Sequence, residues 1–220
     1  MRQCSWILVL LCLTGCGVVR EARMPVPAGL DGVAEESFGR PGWGRRGEFT
    51  LGGQPVRYER GADRLSWFDT LSQGSAPLRY TLGTPAGDVK ADCLARQTEL
   101  SSGVLAVALK PWTLSCRWSG ASPATLEISE RRVQGSRQTR EGRYQRGELV
   151  LGLRSVHRLQ GSSLPLAAAV GYELLQGEQV VGSLDLSRGV PALRRPDPRT
   201  PLGQAVTEAA LALALVWEPT

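Results

Sequence analysis

The sequence predicts a mainly β protein: an antiparallel sandwich or barrel of short strands with one buried C-terminal helix. Three observations point there. Short apolar segments recur between turn formers along the whole chain, which carries 26 glycines and 14 prolines in 220 residues. Residues 170–186 read as strand, turn, strand, the clearest hairpin in the sequence. Every residue from Ala209 to Trp217 is apolar. Strands at this spacing, with no helices alternating between them, favour antiparallel pairing.

The elements follow in chain order. Phe49-Thr50-Leu51, Gly52-Gly53 and Pro55-Val56-Arg57-Tyr58 form a hairpin signal, because paired glycines suit the positive φ of a tight turn. Leu65–Leu71, with Trp67 and Phe68, fits either a strand or a short helical turn. Leu78–Leu82 alternates in the manner of a strand and stops at Gly83. Val89–Leu94, Val104–Leu109, Trp112–Trp118 and Thr125–Ile128 continue the series, and Leu149–Leu153 leads into a strand through His157. Val170–Leu175 and Val180–Leu186 flank the turn at Gln176-Gly177-Glu178. Thr200 caps the final helix, Pro201 fits its first position, and alanines among the leucines favour helix over strand. Its uniformly apolar second half must be buried on nearly all sides, and it is too short and too interrupted by Thr207 and Glu208 for a membrane span.

The first residues have another logic. Arg2 is followed by an apolar run from Trp6 to Leu13, too short to cross a bilayer core of roughly 30 Å, and then by small residues. This is the layout of a secretory signal, and Leu13-Thr14-Gly15-Cys16 resembles the lipobox of bacterial lipoproteins. The resemblance implies a diacylglycerol on the Cys16 sulfur, cleavage before Cys16 and acylation of the new amine. Several acyl chains, at ~0.8 kcal/mol per buried methylene, hold a protein stably on a membrane. Gly17 stands where Asp favours inner-membrane retention in Gram-negative lipoproteins, so the resemblance implies an outer-membrane location facing the periplasm. The expected organisation is a signal peptide over 1–15, a lipidated N-terminus and tether over 16–45, and one β-rich domain over 46–220. Gly17 to about Gly32 is the lifting segment.

Cysteine usage agrees with export. Cys4 and Cys12 leave with the signal and Cys16 carries lipid, so Cys93 and Cys116 remain as a pair expected to form a disulfide. Without a histidine cluster or Cys-x-x-Cys spacing they fit neither a zinc site nor a redox motif.

Candidate chemistry is sparse. His157 is the only histidine and has no metal-spaced partner; it reads as a structural residue. Glu35 with Glu36, and Asp88 near Asp92, are the closest carboxylate pairs and read as solvated surface acids. No Gly-x-Ser-x-Gly elbow and no phosphate-cradling glycine loop occurs. No catalytic residue, cofactor or metal is expected. The net charge is +5, with Lys90 and Lys110 the only lysines. Arg131, Arg132, Arg137, Arg140, Arg143, Arg146, Arg154 and Arg158 are opposed locally by Glu141 and Glu148 alone. Guanidinium forks pair with phosphate or carboxylate, which makes Arg131–Arg146 a candidate anion-binding stretch. The plainer expectation is a long solvated hairpin loop from Gly135 to Gly147.

The hairpin, Arg-Pro-rich link and apolar helix between Val170 and Trp217 faintly resemble the tubby and scramblase-like group, whose antiparallel barrel encloses such a helix. No residue-level motif accompanies that order, so no functional residue carries over. The expected function is that of a membrane-anchored, non-enzymatic binding or assembly module of the cell envelope. Its expected partners are the membrane through the lipid and envelope proteins, anionic lipid or peptidoglycan, but not nucleic acid. The alternative is a periplasmic lipid- or acyl-chain-binding protein.

Overall fold

The computed structural model describes residues 21–219, apart from 41, 43, 68–70, 103–104, 121 and 133–137. The segment expected to be a signal and lipobox, with Cys16, and Arg137 lie outside the described residues, as does the side chain of Arg132. The fold is mainly β, a nearly closed antiparallel barrel-like sheet with one C-terminal helix.

The strands are β1 (Glu35–Ser37), β2 (Arg46–Leu51), β3 (Gln54–Arg60), β4 (Asp63–Trp67), β5 (Leu71–Thr84), β6 (Gly87–Ser102) and β7 (Leu105–Ser119). They continue as β8 (Ala124–Arg132), β9 (Gln138–Arg146), β10 (Leu149–Val156), β11 (Gly171–Gln176), β12 (Gln179–Asp185) and β13 (Ala192–Arg194). The 13-stranded sheet runs β1-β13-β12-β11-β10-β9-β8-β7-β6-β5-β3-β2, with β4 on β5. Its two ends meet: the Gly39 N–H donates to the Thr50 carbonyl at 2.9 Å, and Phe38 stacks on Phe49 with ring centroids 5.7 Å apart.

Helix α1 (Pro201–Leu215) fills the interior. Side chains from well-separated strands reach it: Tyr80 of β5 donates to the Glu208 carbonyl at 2.6 Å, and Tyr144 of β9 to the Glu208 carboxylate at 2.8 Å. Arg60 of β3 donates to the Leu215 carbonyl at 3.1 Å, and Gly182 of β12 lies against Val206. A helix touched from four sides of one sheet is inside it. From Gly203 to Leu215 only Gln204 and Ala214 are not fully buried, and each leucine so placed contributes about 1.5–3 kcal/mol. Thr200 caps the helix as expected, its hydroxyl accepting from the Gly203 N–H at 3.0 Å.

Antiparallel alternation gives the barrel two ends. The far end carries the tight turns at Gly52-Gly53, Gly147 and Gly177, all at positive φ, and the helix N-terminus. At the other end, the rim, α1 finishes, and residues 157–170 and 186–191 connect strands there. β3 and β4 share one register on β5, bridged by the Gly61 N–H to the Pro77 carbonyl. They act as one long strand bent at Gly61. Opposite β6, the barrel part of β7 pairs with β8 only over Thr113–Trp118. The rim segments of β4, β5, β6 and β7 therefore project as a four-stranded flap beyond the barrel wall.

Three sequence expectations are corrected. Leu105–Leu109 and Trp112–Trp118 are not separate strands but fall in the single long β7, because the register shifts near Arg96 and Thr98 absorb the irregularity; Val104 lies outside the described residues. The Gly135–Gly147 loop is mostly the strand β9, paired on both edges. Its polar composition hid an alternation in which Arg140, Gly142, Tyr144 and Arg146 face inward. The domain also does not start at residue 46. Met24, Leu30 and Phe38 are buried, the Met24 N–H donates to the Asp185 carboxylate at 3.1 Å, and β1 pairs with β13. Proline and glycine there shape a strap on the barrel wall rather than a free tether.

Candidate functional site

β9 places two arginines on its inner face, six residues apart, and each organises a polar cluster. Deeper in, Arg146 pairs with Glu208 of α1, which is completely buried. The carboxylate also accepts from the Tyr144 hydroxyl at 2.8 Å and from the Gln204 amide at 3.1 Å. Trp118 donates to the Tyr80 hydroxyl at 2.9 Å, extending the network to the opposite wall. Burial pushes the Glu208 carboxyl upward, against the hydrogen bond and charge of Arg146 and the bonds from Tyr144 and Gln204. Tyr144 and Tyr80 are raised too, first by burial and then by the nearby Glu208 charge. These groups tie the helix to the wall.

At the rim, Arg140 lies over the Trp112 ring, 3.9 Å from its centroid. Its guanidinium donates to both Glu218 oxygens, at 2.7 and 2.9 Å, to the Glu130 carboxylate at 3.4 Å and to the Tyr172 hydroxyl at 3.4 Å. Burial alone would lower the Arg140 pKa, but the hydrogen bonds and charges of Glu218 and Tyr172 outweigh it and the net shift is upward. The cleft beside it, about 440 Å³, is lined by Gln97, Glu130, Arg140, Tyr172, Leu213 and Glu218 among others. One arginine facing two carboxylates leaves no free positive charge to seize an anion. Chemically this is a clamp: the C-terminal tail is held across the helix end, with Trp217 against Arg60 and Pro219 against Gly74.

The predicted arginine stretch is thus divided among different surroundings. Arg140 and Arg146 face inward on carboxylates; Arg143 points outward from mid-strand, and Arg131 is exposed near the rim. Arg154 pairs with Glu173 at 2.6 Å, and Arg158 is exposed just past β10.

Cys93 and Cys116 face each other across β6 and β7 in direct register, their sulfurs at disulfide distance, 2.05 Å. They lie within the barrel wall, Cys116 midway along its pairing with β8. His157 is buried, with Nδ1 3.1 Å from the Leu166 carbonyl and Nε2 2.9 Å from the Ser155 hydroxyl. A carbonyl only accepts, so Nδ1 carries the proton and Nε2 accepts from Ser155. Both ring nitrogens hold the 157–170 connection in place. Glu35 pairs with Arg188 and Arg194, Glu36 with Arg195, and Asp92 with Arg79, while Asp88 is an exposed residue near the β5–β6 turn.

Sequence reasoning missed Glu130, Glu208 and Glu218 as arginine partners. Glu208 had a signal: a lone acid in an apolar, buried helix demands a partner. Glu218, at an exposed-looking terminus, had none. Among the described residues no group of three or more His, Cys, Asp or Glu converges to hold a metal ion, and no helix is long and apolar enough to cross a membrane. No protein-family model, curated protein or solved structure matches this chain.

Proposed function

We propose that this chain is a lipoprotein of the cell envelope, anchored through acylated Cys16 to the outer membrane and facing the periplasm. It acts there as a binding or assembly module without an enzymatic activity. The observation that carries this reading is the apolar run ending in Leu13-Thr14-Gly15-Cys16. The Cys93–Cys116 pair supports an oxidising compartment. Arg140 and Arg146 are engaged by carboxylates and both His157 nitrogens are engaged in the fold, which supports binding over group transfer. Anionic lipid, peptidoglycan or another envelope protein are the partner classes.

The acyl-chain carrier is the weaker reading, because the helix occupies the interior such a ligand would need. The enclosed helix also favours the tubby and scramblase-like relation as a proposal about ancestry, with no function attached. Blocking lipoprotein signal cleavage with globomycin tests the main reading: unprocessed precursor should accumulate. Cys16→Ala should abolish both processing and membrane association. Unchanged processing and association would sink the anchor.

A further inference from the structure

We propose that the rim is a membrane-docking face, seated on the headgroup region of the same bilayer that holds the Cys16 lipid. This rests on the lipoprotein reading and adds an orientation to it.

Three observations converge. The first is reach. The fold holds the chain from Ala22 and Met24 onward, through the Ser187 hydroxyl to the Ala22 carbonyl and the Asp185 carboxylate to Met24. Both contacts lie at the rim end of β12. From Cys16 to residue 21 an extended chain spans at most ~18 Å. A free tether to Gly32 would have reached about three times as far. The shorter leash keeps the rim against the lipid surface.

The second is apolar exposure. The exposed large hydrophobic residues among the described side chains are Val26, Leu65, Leu100, Leu109, Leu164 and Leu166, and all six belong to the rim or its flap. Leu164 is 74% exposed, Leu65 62% and Leu109 53%. Register puts Leu65 on the same outer face as Gln73 and Thr98, and Leu100 beside Leu71. None appears at the far end. Scattered exposed leucines mean little, but their restriction to one end, at the chain's point of attachment, selects a partner that is itself attached there.

The third is charge. Lys110, Arg131 and Arg158 are exposed at the rim and make no ion pair among the described residues. Basic side chains beside apolar ones match an anionic headgroup layer over acyl chains.

The test uses the full chain, exported and processed, then reconstituted in vesicles of phosphatidylethanolamine and phosphatidylglycerol. Leu65→Cys, Leu164→Cys and, at the far end, Glu178→Cys each carry a nitrobenzoxadiazole label. Lipids bearing a spin-label quencher near the headgroup should quench the first two strongly and leave the third unchanged. Intact mass on the same samples reports whether Cys16 is acylated. An acylated protein with unquenched rim labels, or with all three quenched alike, overturns the docking face and leaves the lipoprotein reading standing. An unmodified Cys16 overturns both.

Discussion

The two ends of the barrel are made from the same antiparallel strands and finish in different ways. At the far end the chain reverses in short glycine turns, the helix begins under a threonine cap, and Arg195 bonds Glu36 of β1 and Thr207 of the helix. Large apolar side chains at that end are covered. At the rim the strands overrun the barrel as a flap, leucines face solvent, and only the clamp on the tail closes the opening. A fold that seals one end so fully has the means to seal the other. The uncovered leucines therefore mark the end where contact, rather than self-packing, determines the residue.

If that contrast is right, the interior should be intolerant in ways the rim is not. The largest effect belongs to Arg146→Met, which strands the Glu208 carboxylate in the core and should cost about 3–5 kcal/mol at neutral pH. The cost should shrink in acid. Glu208 already has its pKa raised by burial, so the native state holds a proton more tightly than the unfolded chain, and stability falls as pH rises through that window. Without Arg146 opposing burial the window widens, and the variant recovers most where the carboxyl is protonated. Denaturant titrations at several pH values measure this. The double variant with Glu208→Leu should restore much of the loss.

Next in size is the cysteine pair that bridges β6 and β7 within the barrel wall. Opening the Cys93–Cys116 bridge by Cys93→Ser should cost about 3 kcal/mol in the chain-entropy view, for a sequence separation of 23. The double serine variant should match it. Thiol titration of the denatured, unreduced protein checks the premise, since two free thiols from these positions would remove it. Gly182→Ala follows. A Cβ there would come within 2.6 Å of the Val206 side chain and 3.3 Å of the Arg194 carbonyl. The β-branched Val206 cannot turn away easily, so about 1–3 kcal/mol should be lost, read as a lower melting temperature.

These sites also show what the sequence made legible. The β class, the last hairpin, the cap at Thr200 and the buried helix followed from periodicity and composition, which report local structure directly. The β9 strand did not, because Gln138–Arg146 carries polar residues on both faces. The nearest carboxylate oxygens to its inward arginines come from Glu208 and Glu218, both distant in sequence, with Glu130 of the neighbouring strand a second partner of Arg140. The strap from Ala22 to Phe38 was hidden for the converse reason. Proline and glycine look like linker composition until a neighbouring sheet edge and the pockets for Met24 and Phe38 exist to receive it.

The smallest expected effect is the sharpest test of the contrast. Leu65→Ser, Leu109→Ser and Leu164→Ser should each change the stability of the protein in water by less than about 0.5 kcal/mol, since an exposed side chain loses little when shortened. A leucine that costs nothing to remove contributes nothing to folding, and its presence at the rim then needs another cause. Were any of the three to destabilise the protein by as much as Gly182→Ala does, the flap would be packing against something within the chain. The two ends would then differ only in shape. Unfolding curves for the three variants beside the parent, without lipid or detergent, decide between these outcomes.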